Sequence, residues 1–340
     1  MIMIDLRSDT VTRPSAEMRE AMANAEVGDD VWGDDPTVNL LQDKCKELTG
    51  KPAALFVTSG CMGNQLAIKC HTNPAEEIIA EWDSHIVKYE IAGPSFISGV
   101  QIMPLKGEHG FMDPDEITAH IRPDWYHYPK TSLVCIENTH NRGGGTIYPL
   151  DEIKQVSKVC RENNLKLHMD GARVFNASVE SGVSVKDYAS LVDSITFCFS
   201  KGLGAPIGSI LCGDEDFITR AHKFRKILGG GMRQAGIIAA GALYAIENNV
   251  ARLKDDHKNA KHFAEEISKL PYVVIDMESV QTNIVIFNTT KDANRIREVL
   301  EGKGVVVTND GKDKLRAVFH MDVSAEQTDQ AIEIFKTLKA

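Results

Sequence analysis

Lys201 and Asp170 are the two residues of this chain whose positions most clearly indicate chemistry. Lys201 follows an apolar run that ends at Phe199 and precedes the glycine-rich turn Gly202-Leu203-Gly204. Asp170 ends a second apolar run, which begins at Leu165. A lysine amine held at a strand end can form a Schiff base, and a carboxylate can pair with a protonated pyridine nitrogen. A lone loop lysine is usually a solvated surface charge, but the two groups together predict a pyridoxal 5'-phosphate site.

Ser59, Gly60 and Cys61 form the candidate phosphate site. They follow one apolar strand-like run and precede a helical pattern, so backbone N–H groups at the helix start could hold a phosphate dianion. Glycines after a strand are more often plain turn residues. The phosphate interpretation of this segment therefore depends on the other motifs of the chain.

Six polar or glycine-containing segments follow one another across almost the whole chain: 5–14, 59–64, 137–141, 168–173, 200–203 and 229–234. Together they resemble the L-threonine aldolases of the low-specificity type, in the aspartate-aminotransferase-fold superfamily. The resemblance implies pyridoxal-phosphate fold type I, an α/β class with a large, mostly parallel sheet domain and a small C-terminal α+β domain. Family members commonly have Thr where this chain has Cys61. Because a thiol is a weaker donor than a hydroxyl, somewhat weaker cofactor binding is expected.

Two histidines receive catalytic roles from the resemblance. It implies that the ring of His85 stacks on the cofactor and that His127 lies near the substrate hydroxyl, with the order of their roles left open. A lone histidine is as often structural, although its unperturbed pKa suits proton transfer near neutral pH. His140 and His320 lack a metal-ligand spacing such as His-x-x-x-His, and no metal is expected in the mechanism.

Arg316 is the predicted binding residue for a substrate carboxylate. The planar guanidinium group matches a carboxylate better than a lysine amine does. Arg316 begins an apolar run, where an exposed strand arginine is the ordinary interpretation. The resemblance assigns the carboxylate to it and adds Ser8 and Arg173 as helpers, with Ser8 acting from an N-terminal arm folded over the crevice.

Lys226 and Arg233 are predicted to bind the cofactor phosphate from a neighbouring subunit. They lie in or beside the glycine-rich segment 229–234, whose glycines permit close backbone approach. In the resembled family this loop is thought to reach the phosphate across the subunit interface. The resemblance thus implies a homo-oligomer, with dimers that share active sites and assemble into a homotetramer.

The activity implied by the resemblance is aldol cleavage of L-threonine and L-allo-threonine to glycine and acetaldehyde, a carbon-carbon lyase reaction. A β-eliminating lyase or a serine hydroxymethyl-transferring enzyme of the same fold would use the same lysine and aspartate. A non-catalytic pyridoxal-binding or scaffold protein is the alternative from another class. The preferred diastereomer and the physiological direction stay open.

Composition excludes several other classes of function. The chain has 340 residues, 43% of them hydrophobic and 25% charged, which suffices for a substantial core and favours two domains. Its net charge of -10 argues against a nucleic acid partner, and no apolar run reaches the length of a membrane span. The seven cysteines include no Cys-x-x-Cys pair and are expected to be reduced. Asp5 and Arg7 place charge where an export signal needs apolar residues, so a cytoplasmic location is expected.

The elements that must position these residues follow from alternating apolar and amphipathic segments, which predict a parallel α/β sheet. Predicted strands are 53–57, 77–81, 132–137, 165–169, 194–199 and 208–212, with helices beginning at Asp35-Pro36 and at Leu150. The candidate residues follow strand ends, and the crevice of an open α/β sheet lies at the carboxyl ends of its strands.

A domain boundary is predicted near Asn249. The alanine-rich segment 235–249 and the charged segment 252–270 predict one long connecting helix. Residues 1–249 would form the N-terminal arm and the large cofactor-binding domain. Residues 250–340 would form the small domain, with strands at 273–275, 283–287 and 315–319 and helices at 293–301 and 325–338.

Overall fold

The computed structural model describes residues 3–338. The helices are α1 (Ala16–Ala23), α2 (Pro36–Thr49), α3 (Gly60–His71), α4 (His85–Lys88), α5 (Pro114–His120), α6 (Leu150–Glu162), α7 (Val174–Ser181), α8 (Val185–Ser190), α9 (Glu215–Ile227), α10 (Gly236–Asn248), α11 (Leu253–Ile267), α12 (Ala293–Gly302) and α13 (Ala325–Lys336). The strands are β1 (Ile4–Asp5), β2 (Ala53–Val57), β3 (Glu77–Glu81), β4 (Gln101–Leu105), β5 (Thr131–Glu137), β6 (Lys166–Asp170), β7 (Ser194–Cys198), β8 (Ser209–Gly213), β9 (Val273–Val274), β10 (Ile284–Thr289), β11 (Val305–Val306), β12 (Thr308–Asn309) and β13 (Lys314–Val318). Within residues 3–338, no helix has both the length and the apolar character needed to cross a membrane.

A seven-stranded sheet in the order β2-β8-β7-β6-β5-β3-β4 organises the larger part of the molecule. The strands from β7 to β4 are parallel, whereas β8 is antiparallel to both of its neighbours. Strands β2, β3, β5, β7 and β8 are buried along their whole length. Continuous burial is typical of a sheet covered on both faces, which is why these strands appear in the sequence as apolar runs. The predicted large, mostly parallel α/β sheet is confirmed.

Strand β4 is absent from the predicted strands, and the reason is its position at the edge of the sheet. It contains Pro104, and all of its residues except Leu105 are at least partly exposed. Proline donates no ladder hydrogen bond and is tolerated on an edge strand. An exposed strand that contains proline lacks the apolar run by which the central strands were predicted.

The prediction of one long connecting helix is wrong, because α10 and α11 are separate helices. The chain bends at residues 249–252 between them. There the Asn249 side chain donates a hydrogen bond of 2.7 Å from Nδ2 to the carbonyl oxygen of Leu203, in the turn that follows Lys201. This break is fixed by a contact that is distant in sequence, which local composition does not encode.

The C-terminal part of the chain contains a four-stranded antiparallel sheet in the order β12-β13-β10-β9. Strand β1 pairs in parallel with β11, and Ile4 and Leu6 lie in the hydrophobic core of this part. The beginning of the described chain thus packs on the C-terminal part before it continues towards the large sheet. The boundary near Asn249 stays a prediction.

Candidate active site

A cavity of about 330 Å³ lies between the carboxyl ends of the large sheet and the C-terminal part. Five of the predicted site residues line it: Ser8, His85, Arg173, Lys201 and Arg316. They come from the N-terminal arm, from segments that follow β3, β6 and β7, and from strand β13. The fold therefore gathers at one place residues that are far apart in sequence.

Lys201 lies in the turn after β7, and its backbone is held from two sides. Its carbonyl oxygen accepts hydrogen bonds from Thr12 Oγ1 at 2.9 Å and from the Gly204 N–H at 2.8 Å. Gly204 has a φ of +79°, and a Cβ at this position would lie 2.4 Å from Met321 Sδ. The positive φ favours glycine and the close approach of Met321 adds to this preference, so the glycine-rich turn helps to fix the backbone from which the lysine side chain enters the cavity.

Asp170 is the last residue of β6, and its side chain is buried. Its Oδ2 accepts a hydrogen bond of 2.8 Å from Asn64 Nδ2, and its Oδ1 accepts one of 3.0 Å from the Ala172 N–H. Burial alone would raise the pKa of Asp170, but the charges of His85 and Lys201 and the Asn64 hydrogen bond together lower it. Asp170 is therefore a carboxylate at neutral pH, as a partner of a protonated pyridine must be.

His168 lies on the same face of β6 as Asp170 and is linked to it through the side-chain amide of Asn64. Its Nε2 lies 3.1 Å from Asn64 Oδ1, and its Nδ1 lies 2.9 Å from Ser194 Oγ. Burial lowers the pKa of His168 to about 4, so the ring is neutral. Since Asn64 Oδ1 can only accept, His168 carries its hydrogen on Nε2 and accepts one from Ser194.

His85 begins α4, with three residues between it and the end of β3. Its backbone N–H donates to Glu137 Oε2 at 2.6 Å, and its ring Nδ1 lies 2.8 Å from Glu90 Oε1. Burial alone would lower the pKa of His85, but the Glu90 hydrogen bond and the charge of Asp170 outweigh it, so the pKa is raised. Glu90 and Glu137 were not among the predicted site residues, although Glu137 lies in one of the six resembling segments.

Arg316 reaches the cavity from β13, and its hydrogen bonds in the described structure are to neutral oxygens. Its Nη1 donates to Asn141 Oδ1 at 3.0 Å and its Nη2 donates to the Arg7 carbonyl at 3.2 Å, while its buried Nε has no hydrogen-bond partner. An oriented cation with an unused donor suits the binding of an anionic ligand.

Arg173 lines the cavity, but its guanidinium group is engaged elsewhere. Its Nε and Nη2 each lie 2.7 Å from a carboxylate oxygen of Asp9, and both side chains are buried. Asn283 Nδ2 also donates to Asp9 at 3.2 Å. The geometry gives Arg173 a role in fixing the N-terminal arm that carries Ser8. Its predicted contact with the substrate carboxylate stays a prediction.

Ser59 caps α3, and its Oγ accepts a hydrogen bond of 3.2 Å from the Met62 N–H. Gly60 begins this helix, and a Cβ there would lie 2.8 Å from Cys198 Sγ, so glycine lets the helix start approach the end of β7. The N–H groups of a first helical turn have no partner within the helix and attract anions. The predicted phosphate segment is thus at a helix N-terminus next to the strand that leads to Lys201.

Besides Ser59, Gly60, Cys61 and Asp170, three further predicted residues lie outside the cavity lining of a single chain. His127 is on an exposed loop among aromatic rings, with ring centroids 5.8 Å from Trp125 and 4.6 Å from Tyr128. Lys226 is exposed, and Arg233 is exposed with Nη1 2.8 Å from Asp29 Oδ2. Within one chain, His127 does not line the cavity in which the substrate is expected. For Lys226 and Arg233, a contribution to a neighbouring subunit stays a prediction.

Pyridoxal phosphate requires an amine, an acidic partner for its ring nitrogen and an anion site for its phosphate. Lys201, Asp170 and the N-terminus of α3 supply these groups at the carboxyl ends of the strands, and the absence of a side chain at Gly60 lets the helix start lie against the end of β7. The residues therefore fit this cofactor. Fold and site together define a fold-type-I pyridoxal-phosphate enzyme.

Comparison with known proteins identifies the family. The beta-eliminating lyase family model matches residues 5–290. The probable low-specificity L-threonine aldolase 2 of Arabidopsis thaliana is 42% identical over 98% of this chain and 97% of its own length. The low specificity L-threonine aldolase of Escherichia coli K12 is 43% identical over 96% of each chain. The chain thus belongs to the beta-eliminating lyase family and, within it, to the low-specificity L-threonine aldolases.

The fold agrees with this assignment. The solved structure of Leishmania major threonine aldolase superposes with a TM-score of 0.85 over 99% of this chain and 100% of its own, at 21% identity. A putative L-allo-threonine aldolase from Listeria monocytogenes superposes with a TM-score of 0.83 over 98% of this chain and 94% of its own, at 22% identity. At such identities the similarity shows a shared fold.

Proposed function

We propose that this protein cleaves the Cα–Cβ bond of L-threonine and L-allo-threonine, with pyridoxal phosphate as cofactor, and releases glycine and acetaldehyde. The observation that carries the proposal is that Lys201 and Arg316 line one cavity, while the buried carboxylate of Asp170 lies close to the lining residues His85 and Lys201. These groups supply an amine, a buried carboxylate and an oriented cation. Family membership and relatives named as low-specificity L-threonine aldolases support the same reaction.

Different residues of the chain have different roles in this reaction. When bound, the cofactor supplies an electron sink for the pair released on cleavage. Lys201 provides the amine that holds the cofactor, and Asp170 holds a proton at the ring nitrogen. Arg316 binds the substrate carboxylate and thereby sets the orientation of the Cα–Cβ bond, on which the rate of cleavage depends.

His85 is the chain's candidate for removing the β-hydroxyl proton. Its Nδ1 is engaged by Glu90, so Nε2 is the ring nitrogen left for proton exchange. A neutral imidazole accepts a proton at this nitrogen, and the raised pKa of His85 favours its uptake. His127, if it comes from a neighbouring subunit, is the second candidate.

The test is an assay of purified protein reconstituted with pyridoxal phosphate and given each threonine diastereomer. We expect acetaldehyde and glycine in equal amounts, and no product from the matched Lys201→Ala variant. Pyruvate and ammonia from L-serine would instead indicate a β-eliminating lyase, and cleavage that requires tetrahydrofolate would indicate hydroxymethyl transfer. Absence of acetaldehyde from both diastereomers would contradict the proposal.

We also propose that the protein is a homo-oligomer, with dimers that share active sites and assemble into a tetramer. The segment between α9 and α10 supports this proposal. It carries the exposed cation Arg233, and the exposed cation Lys226 lies just before it in the last turn of α9. Apolar Ile227 and Ile237, on either side of the segment, are 74% and 48% exposed. Apolar side chains next to a polar binding group are typical of a surface that a partner covers. Light scattering of the purified protein measures the assembly.

A further inference from the structure

We propose that Glu90 is a positioning residue for the reaction: it fixes the ring of His85 with hydrogen on Nδ1 and with Nε2 free towards the cavity. The proposal also makes Asn64 the link between this pair and Asp170. The part of His85 in cleavage rests on the proposed function. The orientation and the proton affinity of its ring do not, and they can be measured separately.

The contacts of Glu90 determine which atom carries each hydrogen. Its side chain is 1% exposed. Oε1 accepts from Asn64 Nδ2 at 2.8 Å and lies 2.8 Å from His85 Nδ1, while Oε2 accepts from Gln65 Nε2 at 2.6 Å. Because amide donors engage both oxygens, the carboxyl group acts as an acceptor throughout. His85 must therefore hold a hydrogen on Nδ1, which leaves Nε2 for proton exchange at the cavity.

The orientation of the Asn64 amide is fixed by three partners. Its Nδ2 donates to Asp170 Oδ2 and to Glu90 Oε1, both at 2.8 Å, and its Oδ1 lies 3.1 Å from His168 Nε2. A reversed amide would place its oxygen against two carboxylates, which is unfavourable. One amide thus holds both carboxylates. Its buried position makes its hydrogen bonds costly to break, so the place of Glu90 follows from that of Asp170.

The charges around His85 explain why Glu90 matters for its protonation. Glu90, Asp170 and Glu137 place negative charges near the ring, and the amine of Lys201 belongs to the lining of the same cavity. The other facing groups are the Tyr89 phenol and the Cys61 thiol, whose pKa is raised to about 12 and which is therefore uncharged. Glu90 alone among these groups bonds the ring directly. Its removal should lower the proton affinity of His85 and free the ring to rotate.

The variant Glu90→Gln removes this charge and keeps the size of the side chain. Gln65 Oε1 is buried without a partner, so a flip of the Gln65 amide gives the new amide an acceptor. The matched control is Glu81→Gln, since buried Glu81 lies 3.1 Å from Nε2 of buried His140 in a comparable pair outside the cavity that Lys201 lines. Glu90→Asp, which keeps the charge, is the conservative variant and the substitute if Glu90→Gln does not fold.

The measurement is an NMR titration of protein with ¹⁵N-labelled histidine in the absence of cofactor, with the His85 signals assigned by their loss in His85→Asn. We expect neutral wild-type His85 to hold its hydrogen on Nδ1. The His85 midpoint in Glu90→Gln should move to lower pH, because a neutral amide oxygen replaces the charged acceptor, while Glu81→Gln leaves the midpoint unchanged. In reconstituted enzyme, kcat for threonine should fall about 10- to 100-fold with little change in KM, and Glu90→Asp should recover part of it.

An unchanged His85 midpoint in Glu90→Gln, or a neutral wild-type ring that carries its hydrogen on Nε2, would overturn the proposal. So would an equal loss of kcat in Glu81→Gln, because the effect would then come from the loss of any buried charge. The NMR result does not depend on threonine cleavage. A wild-type protein that releases no acetaldehyde would contradict the proposed function and leave the NMR test intact.

Discussion

Asp170 shows how neighbouring residues rather than burial decide the charge of a group. A buried aspartate is ordinarily harder to ionise, yet the pKa of Asp170 is lowered because His85 and Lys201 are close and Asn64 donates to it. In Asp170→Asn the amide oxygen can still accept from Asn64, but the charge that favours a protonated pyridine is lost. The carbanionic transition state should rise by several kcal/mol, roughly a thousandfold in turnover.

Steady-state kinetics of Asp170→Asn with L-threonine measure this loss. Circular dichroism and the cofactor content of the purified variant serve as controls for folding and binding. Turnover close to that of the wild type would reject Asp170 as the partner of the ring nitrogen.

The proposed binding of the substrate carboxylate by Arg316 depends on the planar shape of its guanidinium group as well as on its charge. Its planar group bonds Asn141 and the Arg7 carbonyl, and one nitrogen is left unpaired. Arg316→Lys keeps a positive charge but loses the fork, so the affinity for L-threonine and for glycine should weaken and turnover should fall. Roughly a tenfold rise in KM corresponds to the loss of one charge-assisted hydrogen bond. Unchanged KM and kcat would place the carboxylate site elsewhere, with Arg173 as the next candidate.

At the scale of elements, the N-terminal arm joins the two parts of the molecule beside the cavity. Asp9 pairs with Arg173 from the large sheet and accepts a hydrogen bond from Asn283 of the C-terminal part, while Thr12 bonds the Lys201 carbonyl. In Asp9→Asn a buried guanidinium group loses its counter-charge. We expect the free energy of unfolding to fall by about 3–5 kcal/mol, measured by urea denaturation with and without cofactor.

The pH dependence of the free energy of unfolding is a second test of the Asp9–Arg173 pair. The charge of Arg173 holds the pKa of Asp9 well below its ordinary value. Stability from this carboxylate is therefore fully present above its unfolded pKa of about 4 and is lost as the pH falls towards the lower pKa of the folded state. The wild type should lose stability more steeply below about pH 4 than Asp9→Asn does. Parallel pH profiles of the two proteins would contradict the assignment.

The sequence predicts the central strands to within one or two residues because a buried strand must be a continuous apolar run. The exposed edge strand β4 and the break between α10 and α11 leave no such pattern. Glu90 also escapes prediction. The chain after it turns through Ile91 and Ala92 with φ near +51° and +52°. Such residues rarely adopt that conformation, so their types give no turn signal. Glu90 itself follows the one-turn helix α4 and Tyr89, and no motif spacing marks it as a partner of the His85 ring.

At the scale of the whole molecule, the cavity is built from both parts of one chain and is proposed to need a second chain. Arg316 and Lys201 come from different parts, which meet through pairs such as Arg142 Nη1 and Asp310 Oδ1 at 2.8 Å. Lys226, Arg233 and His127 lie outside the cavity lining. If Arg233 completes a neighbour's phosphate site, cofactor binding and assembly are linked, because each subunit completes the other's site.

Complementation between two inactive variants tests this arrangement. In a heterodimer of Lys201→Ala and Arg233→Ala chains, one site carries both defects and the other site carries neither. An equal mixture with free exchange contains about half heterodimers with one intact site each, so about a quarter of wild-type activity should return. The control is each variant mixed with itself under the same exchange conditions. If Arg233→Ala is inactive and exchange is demonstrated by mass spectrometry, an inactive mixture would show that Arg233 acts on its own subunit's site, since every heterodimer would then lack an intact one.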